Sequence, residues 1–263
     1  MSSTPTSRRA EKILTLLVGR EEVSVAELRD HFQVAAMTIR RDLDRLAAQG
    51  RIARTHGGAM LTAPSAVAFE FQQRQQSHLA EKSAIGQAAA KWVTPGMTII
   101  LDTGTTTLEM ARRLGGVEDL TVLTSSLAIA SALLAHRNVE LVLLGGTVSK
   151  DSPDLSGPLT LENLAAFHAQ VAFVGADGAD EDGFYTSDLS IAQVSRAMIA
   201  NAQQSILLSD RSKFTRKAFV RIAGWEAVDH VIVDDGLHAR ARRWIKNKVA
   251  GHTLVSADTG AKP

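Results

Sequence analysis

The chain has 263 residues, 45% hydrophobic and 22% charged, which is room for two domains of ordinary globular composition. It has no cysteine, which excludes disulfides, thiolate metal sites and thiol catalysis and fits a reducing cytoplasm, the compartment expected. No apolar run approaches the roughly 18–20 residues of a membrane span, and the first 20 residues lack a signal-peptide core, so no membrane partner is expected.

The net charge of +1 is unevenly spread: up to Leu61 ten basic residues face seven acidic ones, leaving −2 for the remainder. Within that basic part, Ser7 is placed to cap a first helix whose Ala10, Ile13, Leu14 and Leu17 form one apolar stripe, and Gly19 ends it. Ser24-Val25-Ala26-Glu27 reads as a capping box opening a short second helix, with Leu28 and Phe32 facing inward. A tight turn at Gln33-Val34-Ala35 leads to a third helix, from Ala36 to Gln49, stopped by Gly50.

At 100° per residue, Ile39, Leu43 and Leu46 fall within about 60° of one another on that third helix. Thr38, Arg41 and Arg45 gather on the opposite side, with Met37 beside them and Arg40 on the flank. One face packs while the other presents hydroxyl and guanidinium groups, the division a recognition helix in a major groove requires. Arg51-Ile52-Ala53-Arg54 then reads as a strand of a β-wing. The following His56-Gly57-Gly58 turn lets backbone approach backbone or phosphate closely. Residues 1–61 are thus expected to bind double-stranded DNA. Arg41, Arg45 and Thr38 read bases in this picture, while Arg40, Arg54 and the His56–Gly58 turn hold phosphates.

Residues 62–80 read as a linker that includes a polar helix, and residues 81–263 as a second domain. Glu81-Lys82 opens a helix with Ile85, Ala88, Ala89 and Trp92 on one stripe. Short apolar runs follow at Thr98–Leu101, Leu120–Leu123, Val139–Leu144, Val171–Gly175, Ser205–Leu208 and His230–Val233. Helix-length segments at Leu108–Leu114, Ser126–Ala135 and Asp188–Ala202 separate several of them. The alternation predicts an α/β domain whose sheet is mostly parallel and buried on both faces.

Ligands of such sheets bind at the carboxyl ends of the strands. The tips there are small and polar: Asp102 to Thr107, Thr124-Ser125-Ser126, Gly145-Gly146-Thr147, Asp177-Gly178, Asp210 to Phe214 and Asp234-Asp235-Gly236. Glycines and hydroxyls opening a helix expose N–H groups to an anion, and Lys213 is the candidate counter-cation. Asp102 and Asp177 repel phosphate, so they are assigned to sugar hydroxyls or to holding the loops.

Two blocks at the N-terminal end, Thr38-Ile39-Arg40-Arg41-Asp42-Leu43 and Arg54-Thr55-His56-Gly57-Gly58-Ala59, resemble the signature of the DeoR family of bacterial transcriptional regulators. Asp102–Thr106, Gly145-Gly146, Gly175–Gly178 and Ser212-Lys213-Phe214 extend the resemblance to the family's effector domain. The resemblance implies an N-terminal winged helix-turn-helix domain joined to an α/β domain similar to ribose-phosphate isomerase and CoA transferases. It further implies sensing of phosphorylated sugars, with Gly104, Thr105, Thr106 and Lys213 on the phosphate side. Ala35 stands where the family usually has a capping serine, and Thr124-Ser125-Ser126 where Thr-Asn-Ser is common. Ile191-Ala192-Gln193 lacks glutamates often found after the Asp188-Leu189 pair.

The expected function is therefore a repressor of sugar-metabolism genes, acting as a homo-oligomer (dimer or tetramer) on operator DNA and modulated by a phosphorylated sugar. Asp102, Gly104, Thr105, Thr106, Thr124, Ser125, Gly145, Gly146, Asp177 and Lys213 are the effector-side candidates. Two alternatives stay open at this level: an isomerase-like enzyme using Asp177, Asp180 or Glu181, and a DNA binder with a degenerate pocket. The eight histidines never pair at i, i+2 or i, i+4, and no Walker or dinucleotide fingerprint occurs, so neither metal nor cofactor is expected.

Overall fold

The computed structural model describes residues 5–18, 20, 22–149 and 152–257. They form two compact units, one containing the chain up to Arg74 and the other Gln75–Ser149 and the chain from Pro153. The first contains α1 (Pro5–Leu17), β1 (Val23–Ser24), α2 (Val25–Phe32), α3 (Ala36–Ala48), β2 (Ile52–Arg54) and β3 (Gly58–Leu61). The division falls near the end of α4 (Ala63–Gln76).

Helix α1 starts at Pro5, two residues before the expected cap at Ser7; proline suits a first helical turn because its missing N–H has no intrahelical partner there. The stop assigned to Gly19 lies outside the described residues. Ser24 and Glu27 form the expected capping box, with the Glu27 N–H donating to Ser24 Oγ at 3.1 Å and the Ser24 N–H to Glu27 Oε2 at 2.8 Å. Gln33 turns the chain in the left-handed region (φ 52°) and Gly50 does the same after α3 (φ 71°). Ile13, Leu14, Leu17, Val23, Leu28, Ile39, Leu43, Leu46, Ile52 and Ala59 close one core, so three helices and a three-stranded wing pack as a unit.

The second unit runs α5 (Leu79–Ala90), β4 (Thr98–Leu101), α6 (Thr105–Ala111), β5 (Leu120–Thr124), α7 (Leu127–Leu133) and β6 (Val139–Leu143). It continues with β7 (Thr147–Val148), β8 (Leu155–Ser156), α8 (Pro158–Ala165), β9 (Ala169–Val174), β10 (Gly178–Asp180), β11 (Gly183–Thr186) and α9 (Leu189–Ala200). It ends with β12 (Ala202–Leu208), β13 (Val220–Ala223), β14 (His230–Asp234), α10 (Ala239–Lys248) and β15 (Gly251–Val255).

Seven strands in the order β15-β14-β12-β9-β4-β5-β6 make one wholly parallel sheet. Chain order runs outward in both directions from the central β4–β9 pair, so the connections reverse there. That reversal is the topological switch point at which open α/β sheets bind ligands. All six strands expected from sequence are in the sheet.

Several expectations are corrected. The helix expected to open at Glu81 begins at Leu79 and ends at Ala90, so Trp92 leaves the stripe and instead packs on His230 with ring centroids 4.7 Å apart. Within residues 62–80 the helix is α4, and only Ser77 and His78 separate it from α5. Helix α6 starts three residues before the expected Leu108. Strand β15, the β7–β8 hairpin and the antiparallel sheet β10-β11-β13 were not anticipated. β15 is an edge strand of alternating exposure and lacks a continuous apolar run; β6, at the opposite edge, has no buried residue, so the expected burial on both faces holds for the inner strands and not for the edges.

Candidate functional site

The first candidate surface is the outward side of α3 and the wing beside it. Ile39, Leu43 and Leu46 are buried, which forces the other side of α3 out: Met37 is 55% exposed, Arg40, Arg41 and Arg45 are exposed, and Thr38 is half-buried. No side chain caps α3, although Ala35 already holds the extended backbone of a cap (φ −63°, ψ 142°). Asp42 is buried on the apolar side, where it accepts the Arg9 Nε–H at 2.6 Å and ties α1 to α3. An acid about 40° from Leu46 on the helical wheel, at the edge of the apolar stripe, was the sequence signal for such a partner.

Strands β2 and β3 pair with Ile52 opposite Leu61 and Arg54 opposite Ala59. The Thr55 N–H donates to the Gly58 carbonyl at 3.2 Å and the Gly58 N–H to Thr55 Oγ1 at 3.0 Å, closing the turn. His56 and Gly57 sit exposed at its tip, and a Cβ on Gly57 would meet nothing within 4 Å. Gly58 differs. It is buried, both its backbone groups are engaged within the turn, and a Cβ there would stand 2.1 Å from the Val23 carbonyl oxygen. Backbone approach, not phosphate approach, explains that glycine. Arg54 is also not free, since its Nη1 donates to Asp44 Oδ1 at 2.5 Å.

The second candidate site is the loop cluster at the carboxyl edge of the parallel sheet. Asp102, after β4, is buried and accepts from the Thr103 N–H at 2.8 Å, the Ser195 hydroxyl at 2.9 Å and the Gly175 N–H at 3.3 Å. It thereby joins the loops after β4 and β9 to α9 across the switch point. Burial pushes its carboxyl up to about 7, against three hydrogen bonds that act the other way. Ser195, the partner on α9, carried no sequence signal.

Other candidates also hold loops together. Thr124 is buried and donates its hydroxyl to the Leu101 carbonyl at 2.8 Å. The Gly145 carbonyl accepts from Thr160 Oγ1 at 2.8 Å. Gly146 (φ 123°) leaves no room for a Cβ, which would lie 2.1 Å from Thr160 Oγ1. Asp177 accepts from Thr186 Oγ1 at 3.0 Å and the Ser187 N–H at 2.9 Å. Its neighbours in the acidic run are likewise committed: Asp180 to Lys217 at 2.5 Å and to the Tyr185 hydroxyl at 3.0 Å, and Glu181 to Arg240 at 2.9 Å. That run is a β-hairpin with paired charges, not a loop of free carboxylates.

The groups left open are fewer. Gly104 (φ 131°) precedes α6, whose first main-chain bond runs from the Leu108 N–H to the Gly104 carbonyl at 3.1 Å. The amides of Thr105 and Thr106 therefore have no intrahelical acceptor. Ser125 is wholly buried with an unpartnered Oγ, and the half-buried Lys213 ammonium makes no hydrogen bond or ion pair among the described residues. No group of three His, Asp or Glu side chains suited to a metal occurs among the described residues, and no described helix is long and apolar enough to cross a membrane.

Residues 9–64 match the family described as DeoR-like helix-turn-helix domain, and residues 77–235 match the one described as DeoR C terminal sensor domain. The chain is 34% identical over 250 residues to the uncharacterized HTH-type transcriptional regulator YulB of Bacillus subtilis, covering 95% of this chain and 96% of that one. It is 33% identical to the glycerol-3-phosphate regulon repressor of Escherichia coli strain K12, over 87% of this chain and 90% of the relative. A ribose 5-phosphate isomerase A from Methanocaldococcus jannaschii aligns over 53% of this chain and 56% of its own at 21% identity and a TM-score of 0.40.

Proposed function

The chain belongs to the DeoR family of transcriptional regulators, and we propose that it represses its operators through α3 and the wing while a phosphorylated sugar bound at the sheet edge sets its DNA affinity. The observation that carries this reading is the split of α3, apolar Ile39, Leu43 and Leu46 inward and Met37, Arg40, Arg41 and Arg45 outward. A rigid helix with guanidinium groups on one side suits bidentate reading of guanine edges. Arg41, Arg45 and Thr38 meet bases in this arrangement, and Met37 supplies an apolar contact. Arg40, Arg54, His56 and Gly57 lie toward phosphates. Gly58 serves the fold of the wing. Repeated half-sites call for at least a two-fold assembly.

On the sensor side, the open groups Thr105 N–H, Thr106 N–H, Ser125 Oγ and Lys213 Nζ are assigned to the effector. Asp102, Thr124, Gly145, Gly146 and Asp177 are assigned to holding those loops in place. An anion satisfies amide donors and a lone ammonium together. The relative named for the glycerol-3-phosphate regulon supports a phosphorylated polyol or sugar as the class of effector.

The test is a thermal-shift screen of sugar phosphates, each beside its unphosphorylated sugar, with Lys213→Met as the control variant. A ligand at 100 times its Kd stabilises by about 2.7 kcal/mol, a melting shift of about 5–10 °C for a domain of this size. A phosphorylated compound shifts the wild type and not Lys213→Met. Failure of every phosphorylated compound overturns the effector assignment. Independently, Arg41→Ala abolishes discrimination between operator and unrelated duplex while leaving the effector shift intact.

A further inference from the structure

Asp44 is the lone acid on the outward side of α3, flanked along the helix by Arg40, Arg41 and Arg45. A carboxylate in that place repels the phosphates that the surrounding arginines attract. It nevertheless bonds none of those helix neighbours and instead accepts Arg54 Nη1 from the wing at 2.5 Å, with Asp44 68% exposed and Arg54 33%. The same Nη1 lies 3.4 Å from the Arg40 carbonyl of α3. Arg54 Nε and Nη2 carry no hydrogen bond among the described residues. A guanidinium presents five donors in a planar fork, so one corner can be pinned while the rest stays open.

Resting on the reading above that Arg54 meets DNA, we infer that Asp44 is a positioning residue that clamps the wing arginine onto the recognition helix and aims its remaining donors at the duplex. The short connection between α3 and β2, only Gln49, Gly50 and Arg51, is what brings position 54 back over position 44. Without the carboxylate, Arg54 must lose its rotamer freedom on binding, and ordering one such side chain weakens association by about two- to tenfold. The clamp therefore favours duplexes whose backbone matches the aimed fork, and it offsets the charge of Arg54 toward mismatched ones.

The experiment measures full-chain binding by fluorescence anisotropy across a salt series. It uses one duplex selected from a random pool by the wild type and one unrelated duplex of equal length. Wild type, Asp44→Asn, Asp44→Glu, Arg54→Gln and the Asp44→Asn/Arg54→Gln double variant are compared after matching their circular dichroism spectra. Asp44→Asn is expected to lose about two- to tenfold on the selected duplex while holding or gaining on the unrelated one. Asp44→Glu restores discrimination, and the Asn substitution costs nothing once Arg54 is already Gln. Equal tightening of Asp44→Asn on both duplexes overturns the inference, because the carboxylate then only repels. Should Arg54→Gln leave affinity and salt slope untouched, the placement of Arg54 on phosphate falls first.

Discussion

Gly57 and Gly58 are adjacent and alike in sequence, yet the wing makes opposite demands on them. A Cβ on Gly58 would stand 2.1 Å from the Val23 carbonyl oxygen and 2.8 Å from the Ser24 Cα. Non-bonded heavy atoms settle near 3.5 Å, so β1 and β3 must part by about 1 Å or more in Gly58→Ala. That opens the Val23–Ala59 and Ser24–Gly58 pairings. Lost backbone bonds cost about 1 kcal/mol each and overpacking about 1–3 kcal/mol, so the wing domain loses about 2–4 kcal/mol. For a domain of this size that lowers its melting point by about 10–25 °C. All three tryptophans, Trp92, Trp225 and Trp244, belong to the second unit, so their fluorescence follows that unit alone. Far-UV circular dichroism follows both. Gly58→Ala should therefore split an early circular-dichroism transition from an unmoved fluorescence transition. Gly57→Ala should leave both in place and show its effect only in DNA affinity. A Gly58→Ala melt superposable on the wild type refutes the reasoning.

Asp102 makes the second unit's stability fall as pH rises. With its carboxyl near 7 when folded and near 3.9 unfolded, the native state holds more protons between those values, a contribution present below pH 4 and lost through pH 7, worth up to about 4 kcal/mol. His230, pushed down by burial, acts in the opposite sense below its unfolded value, so the difference profile between wild type and Asp102→Asn isolates the carboxylate; a flat difference between pH 4 and 8 rejects it. Asp42→Ala strips Arg9 of its buried acceptor and should cost the first unit about 2–4 kcal/mol in urea titration, at the lower end because Arg9 keeps 21% of its surface in water. Ala35→Ser adds a cap where the backbone is already extended and should stabilise that unit by about 1 kcal/mol; no gain in the same titration shows that the added hydroxyl does not reach the amides of α3.

The recognition helix was legible because its pattern is local: 3.6-residue periodicity places Leu43 and Arg41 on opposite sides whatever surrounds the helix. Five of the six expected strands were legible for a similar reason, since a strand buried on both faces must be apolar throughout, whereas the edge strand β6 was marked only by its Val and Leu content. Strand β15 and the β10–β11 hairpin lacked a continuous apolar run, so Asp177-Gly178 read only as a polar tip and the pairing of Asp180 with Lys217 and of Glu181 with Arg240 was not visible.

Composition and spacing alone determined the basic outward side of α3 and the row of polar tips at the sheet edge, while the family was carried by the resemblance of the Thr38–Leu43 and Arg54–Ala59 motifs. The basic side and the tips follow from residue type and periodicity along the chain. Which tips are joinery and which are open was decided only by tertiary structure. Asp102 finds Ser195 across 93 positions, and Arg54 finds Asp44 across an intervening turn. Such pairings depend on where distant segments come to rest, and hydrogen bonds of about 3 Å leave no periodic trace in the sequence.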